Sequence, residues 1–263
     1  MFARVSLLRS LAIQSRTLYA LMMREVITRF GRDNLGALWL IAEPMIFTLG
    51  IFALWTSAGL GHGSSLPIAA FAVTGYSSVL LWRNSVSRTL GAIDANLPLL
   101  FHRNVRVIDV FLTRIVLETA GATASFAILA IFFTSIGWMT MPIDMIQVLF
   151  GWFMLAWFGL ALALLLGAAT AYSHIIEKLW GPTAYLLFPL SGAGFMVDWL
   201  PPTLQKIVLL LPMVHGIEIL REGYFGNTVK SHYDVGYMAV CCLLLTLAAL
   251  YLVRDAGEKV EGR

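Results

Sequence analysis

No Asp, Glu, Lys or Arg stands between Glu43 and Arg83, and four further charge-free stretches follow at 119–143, 145–176, 179–197 and 235–253. Each is about as long as, or longer than, the ~20 residues a helix needs to cross the hydrocarbon core of a bilayer. The stretch 44–82 is too long for one helix and is broken at 59–65 by Gly-Leu-Gly-His-Gly-Ser-Ser, a flexible polar turn. Five stretches therefore predict six spans, at 35–57, 66–83, 110–136, 143–171, 179–198 and 235–253. The fold class expected is an all-α membrane protein.

A hydrophobic fraction of 59% and a mean hydropathy of +0.81 lie outside the range of soluble domains, whose apolar fraction is about half. In 263 residues, six helices leave no room for a soluble domain, so 1–263 reads as a single transmembrane unit. Arg4, Arg9, Arg16 and Arg24 interrupt the first apolar run before it reaches signal-peptide length, and the N-terminus is expected to be kept. Cys241 and Cys242 are neighbours within the last span and act there as small apolar residues. The formal charge of +3 follows membrane topology, and no nucleic-acid partner is expected.

The basic residues are strongly one-sided. Arg4, Arg9, Arg16, Arg24, Arg29 and Arg32 precede the first span, and Arg83, Arg88, Arg103, Arg106 and Arg114 follow the second. Lys178 follows the fourth, and Arg254, Lys259 and Arg263 form the tail. The opposite connections hold only Lys206, Arg221 and Lys230, so both termini are expected in the cytoplasm.

Within 1–34, residues 5–28 read as an amphipathic helix. Val5, Leu8, Leu11, Ala12, Tyr19, Met22 and Val26 recur on one face, with Arg9, Gln14, Arg16, Thr17 and Arg24 on the other. Such a helix lies in the inner-leaflet interface. The segment 84–109 is too polar to cross and too long for a turn, and is expected to hold one or two short helices that meet a soluble partner. The segment 198–234 has an apolar run at 207–214 too short to span, with prolines at 201, 202 and 212. It reads as two short re-entrant or interfacial helices broken at Pro212.

Several chemistries have no residues to carry them. There is no GxxxxGK[ST] phosphate loop, and the two glycines of 192–194 are expected to ease helix packing inside a span. The five histidines show no metal-ligand spacing. Glu43, one residue before Pro44, is a costly charge in lipid: either it serves a function or it snorkels beside Arg32. The tryptophans cluster near span ends, which fits an interfacial belt, although aromatic faces also line sugar channels.

The pattern Arg29, Leu35, Gly36, Trp39, Pro44 resembles the start of the first span in ABC-2 type export permeases, particularly those for capsular polysaccharide. The residues Ala95-Asn96-Leu97, Leu100-Phe101-His102-Arg103 and Asp109 resemble their ATPase-docking loop. Pro212, His215, Glu218 and Arg221, each three apart, resemble their gate region before the last span. The likeness covers the whole chain in order. Related O-antigen and teichoic-acid permeases tend to have Phe-Pro and a later proline in the docking loop, whereas this chain has Phe101-His102 and no proline from 99 to 141, which favours the capsule branch.

The resemblance implies a homodimer of six-span subunits in a bacterial inner membrane, exporting a lipid-linked polysaccharide. Two copies of a separate ABC ATPase would bind the ATP and Mg, with no cofactor on this chain and no catalysis by it. A periplasmic co-polymerase-type adaptor and an outer-membrane channel are implied as further partners. Expected ATPase-coupling residues are Asp94, Asn96, Leu100, Phe101 and Arg103. Arg24, Arg29 and Arg32 are candidates for the anchor phosphate, or only set topology. Trp39 and Glu43 are channel candidates. Trp199, Pro212, His215, Glu218 and Arg221 are expected at the periplasmic gate, where Glu218 and Arg221 share a helical face and can pair. The alternatives are an ABC-2 permease for another lipid-linked glycan or a hydrophobic drug, or a membrane-embedded enzyme acting on lipid-linked sugars. The enzyme would need an acidic or histidine cluster on one aqueous face.

Overall fold

The computed structural model describes residues 7–30, 38–59, 66–100 and 105–261, which are helical apart from short turns and contain no strand. Long helices stand where the spans are expected. They are α2 (Leu38–Ser57), α3 (Ile68–Thr89), α6 (Val107–Ser135), α7 (Met145–Ala169), α8 (Ile175–Leu190) and α11 (Val235–Glu261). Before them runs α1 (Leu7–Phe30). Between α3 and α6 lie two single-turn helices, α4 (Ala92–Ala95) and α5 (Leu97–Leu100), and before α11 come α9 (Pro202–Val208) and α10 (Pro212–Phe225). The turn expected at 59–65 lies outside the described residues except for Gly59.

Among the described residues, α2, α6, α7 and α11 are long and apolar enough to cross a membrane, and α9 with α10 would add a fifth crossing if that bent pair were one span. The other two expected spans fall short of that measure for identifiable reasons. Helix α3 is diluted by hydroxyl residues, but it is the central helix, buried almost all round. Most of its buried hydroxyls bond back within the helix, Ser77 excepted: Thr74 donates to the Ala70 carbonyl at 2.7 Å, Ser78 to Thr74 at 2.5 Å and Ser85 to Leu81 at 2.7 Å. Helix α8 has only 16 residues, about 24 Å at 1.5 Å per residue against a core of about 30 Å.

Apolar surface gains little by leaving lipid, so close packing has to hold the bundle. Helix α7 supplies it, lying against α3, α10 and α11. A Cβ on Gly159 would stand 2.9 Å from Trp82 Cα on α3, and one on Gly151 only 2.7 Å from the Leu220 nitrogen on α10. The tryptophans are not a simple belt. Trp82 is fully buried against Phe158 and Trp180, and Trp55, Trp152 and Trp180 are also buried, while Trp39, Trp138 and Trp199 are exposed.

One expected boundary is corrected. The span expected to reach 198 stops at Leu190, where Pro189 precedes a turn in which Gly192 takes φ +89°. The two glycines therefore lie beyond the helix. Helix α1 buries Leu21 and Glu25 against the bundle and leaves Tyr19 and Ile27 exposed. Polar anchors hold its buried side, where Gln14 donates to Asp109 on α6 and Glu25 faces Arg114 at 2.9 Å.

Candidate functional site

The expected gate residues converge at the end of the bundle opposite the arginine-rich one. The axes of α9 and α10 turn through 107°, and α10 runs antiparallel along the first half of α7: Gly216 meets Leu155, Leu220 meets Gly151, and Gly223 meets Val148. Pro212 occupies the first turn of α10, where a missing N–H costs nothing. The turn before it is fixed by His215, whose Nε2 lies 2.8 Å from the Leu209 carbonyl. Its Nδ1 accepts from the Asp234 amide at 2.8 Å, so Nε2 carries the proton and the ring bridges α9 to the start of α11.

Glu218 and Arg221 serve backbone groups instead of forming the direct pair expected. Glu218 accepts from the amides of Val197 at 3.2 Å and His232 at 2.9 Å. The fully buried Arg221 donates to the carbonyls of Gly192, Ala193 and Phe195, each at 2.6 Å. Because α8 ends early, these oxygens have no helical partner, and the guanidinium takes the place of the missing helical turn. Arg221 also stands 3.8 Å from the centroid of Phe71, on which Trp199 stacks at 5.3 Å. Helix α3 must come close for this: a Cβ on Gly75 would fall 2.3 Å from the Ala193 oxygen. Beside the turn, His232 Nε2 lies 2.9 Å from Asp198 Oδ1 and Lys230 Nζ 3.5 Å from it. These contacts hold the Asp198 carboxyl below the usual carboxylate range, the His232 hydrogen bond first and the Lys230 charge with it.

Inward from Phe71 runs a ladder of rings from three helices. Trp55 lies 5.2 Å from Tyr76, and Tyr76 lies 5.4 Å from Phe188 and 6.2 Å from Phe47. Of these only Trp55 stood out in the sequence, as one of the tryptophans that fit a belt or a sugar channel; the others are apolar residues among many.

At the basic end, the two short helices divide at Asn96. Asp94 is exposed, with His174 at 3.8 Å, while Asn96 and Leu100 are buried. Asn96 accepts from Arg24, and its amide donates to the Ala92 carbonyl at 2.9 Å. Phe101, Arg103 and Arg32 lie outside the described residues, as does the side chain of Arg29. Trp39 is exposed on α2. Glu43 has a partner other than the one considered: Arg88 donates to it at 2.9 Å and lies 3.6 Å from Glu118. The sequence did hold a signal for this cluster, because Glu25, Glu43 and Glu118 are acids on the side where arginines concentrate.

A family model for the ABC-2 type transporter matches residues 16–225. The chain is 43% identical over 253 residues to the capsule polysaccharide export inner-membrane protein BexB of Haemophilus influenzae, covering 96% of each. It is 42% identical over 258 residues to the capsule polysaccharide export inner-membrane protein CtrC of Neisseria meningitidis serogroup B, covering 98% of this chain and 97% of that protein. A more distant relative, the polysialic acid transport protein KpsM of Escherichia coli, is 26% identical over 249 residues.

Proposed function

The chain belongs to the ABC-2 type transporter family, and we propose that it is the inner-membrane permease of a capsular polysaccharide exporter. The near-full-length identity to two capsule export inner-membrane proteins carries this reading. It moves a lipid-linked polymer outward and leaves ATP hydrolysis to a separate ABC ATPase.

In this reading α2, α3, α6, α7, α8 and α11 cross the inner membrane with both termini in the cytoplasm. Burial of α3 within the bundle and its back-bonded hydroxyls support a crossing despite its polarity. Helix α1 lies in the inner-leaflet interface, its exposed Tyr19, Met23 and Ile27 toward lipid. Helices α9 and α10 form a re-entrant hairpin, supported by the 107° turn and by α10 lying along only half of α7.

Two copies assemble with two ATPase subunits, which meet the segment 92–103 through the exposed Asp94 and through Phe101 and Arg103. Asn96 and Leu100 brace that segment from inside. Arg29 and Arg32 receive the anchor phosphate, since guanidinium offers two parallel bonds to phosphate oxygens. Arg24, already on Asn96, ties that region to the coupling segment. Trp39 and Glu43 line the inner approach, and the ring ladder from Phe47 to Trp199 provides faces for sugar rings. The hairpin carrying Pro212, His215, Glu218 and Arg221 closes the outer end. A periplasmic adaptor and an outer-membrane channel continue the path.

Deleting the gene in its native host tests this reading. Surface capsule should vanish and polymer accumulate inside, with restoration by the intact gene. Normal surface capsule in the deletion strain would reject it.

A further inference from the structure

The charges at the basic end form one connected cluster joining four elements. Arg88, the penultimate residue of α3, bridges Glu43 of α2 at 2.9 Å and Glu118 of α6 at 3.6 Å. Its own carbonyl accepts from Arg114 at 2.8 Å, and Arg114 faces Glu25 of α1 at 2.9 Å. Arg24 of α1 donates to Asn96 between α4 and α5. The Arg88 and Glu43 side chains are 41% and 45% exposed, so burial within the bundle does not force the pair.

Glu43 is placed at a mechanical weak point. Pro44 has no N–H to give the Leu40 carbonyl, so the first turn of α2 lacks a hydrogen bond to the rest of the helix. That turn touches α6 closely: a Cβ on Gly121 would fall 2.8 Å from the Leu40 oxygen. Arg88 thus grips the residue on the near side of a joint and leads, within a few residues, into α4.

We propose that Arg88 is a positioning residue for transport. A push on 92–100 turns the end of α3, and Arg88 carries that movement to Glu43, bending α2 about Pro44 while Glu118 holds the other edge of the guanidinium against α6. A planar guanidinium can hold two carboxylates in fixed directions, whereas an ammonium is a point charge on a flexible stem. The proposal rests on the reading that 92–103 meets the ATPase.

The test uses the full complex with its ATPase, measuring complex recovered, ATP hydrolysed and surface polymer. Arg88→Gln should give a normal amount of complex but roughly fivefold less polymer per ATP, the factor for about 1 kcal/mol of a half-exposed ion pair. Arg88→Lys should fall between this and wild type. Glu43→Gln should lose as much as Arg88→Gln, and the double variant no more than either, because the two act through one contact. Wild-type polymer per ATP in both single variants overturns the proposal. So does a loss of hydrolysis and export in step with loss of complex, which marks Arg88 as structural only. Failure of the underlying reading looks different: Asp94→Arg would leave association and export intact.

Discussion

Arg221 is the residue whose replacement separates charge from shape. Lysine keeps the charge but cannot direct parallel donors to the oxygens of Gly192, Ala193 and Phe195. Arg221→Lys should cost about 1.5–3 kcal/mol, the range for hydrogen bonds to a charged group, and lower the thermal unfolding midpoint of purified protein. An unchanged midpoint would mean that the turn is held by other contacts. Arginines at the other end pose a different question, since in the reading proposed they both set topology and offer phosphate-binding groups. An Arg29→Lys/Arg32→Lys double variant keeps the positive charge that orients the chain, so insertion should be normal while export falls. Normal export would leave these residues with topology alone. The sequence made Glu43 legible as a charge in need of a partner, but not the partner. Arg88 was one of many arginines already accounted for by topology, and only the packing of α3 between α2 and α6 singles it out.

At the scale of elements, the single turns between α3 and α6 expose Asp94 and Pro98 and bury Asn96 and Leu100. Asp94→Arg should therefore weaken ATPase co-purification and surface capsule with little effect on insertion, since like-charge contacts at an interface cost several kcal/mol, roughly. Unchanged co-purification would move the contact elsewhere. The loop before α11 is clasped by His232 and Lys230 on Asp198. The folded state holds this carboxyl below its ordinary value, so the clasp stabilises fully above the unfolded carboxylate range of about 3.9 and is lost as pH falls through the lower folded value. Asp198→Asn should lower stability at neutral pH and flatten its decline in acid, read from melting midpoints between neutral and strongly acidic buffer. An acid profile parallel to wild type would place the sensitivity in other carboxylates. Helix positions were legible because charge-free length is a strong signal in a membrane chain. The end of α8 was not, because Pro189 and Gly192 lie inside an apolar run whose turn depends on Arg221, a residue distant in sequence.

For the molecule as a whole, order of elements carried more information than any single motif. A first helix, two long helices, a polar connection, three helices and a broken segment before the last helix are all readable along the chain. Which helix lies at the centre was not, because the polarity of α3 makes it the weakest apolar signal and its burial comes from its neighbours. The purified chain should hydrolyse no ATP alone, and its complex with the cognate ATPase should show vanadate-sensitive hydrolysis. Robust turnover by the isolated chain would reject the division of labour proposed.

Helix α10 also bears on how the molecule is made. With Glu218 and Arg221 it is a poor candidate for entering lipid unaided, since an arginine at mid-helix costs about 2.5–3.5 kcal/mol on insertion. The partners of Arg221 belong to α3 and to the turn after α8, synthesised earlier, whereas Glu218 and His215 also bind the amides of His232 and Asp234, synthesised later. In the reading proposed above, the hairpin therefore settles after the flanking helices are already integrated. On that reading, a chain defective at Arg221 would keep its membrane crossings and hold a loose outer loop, cut by protease added from the periplasmic side while the rest of the bundle stays intact.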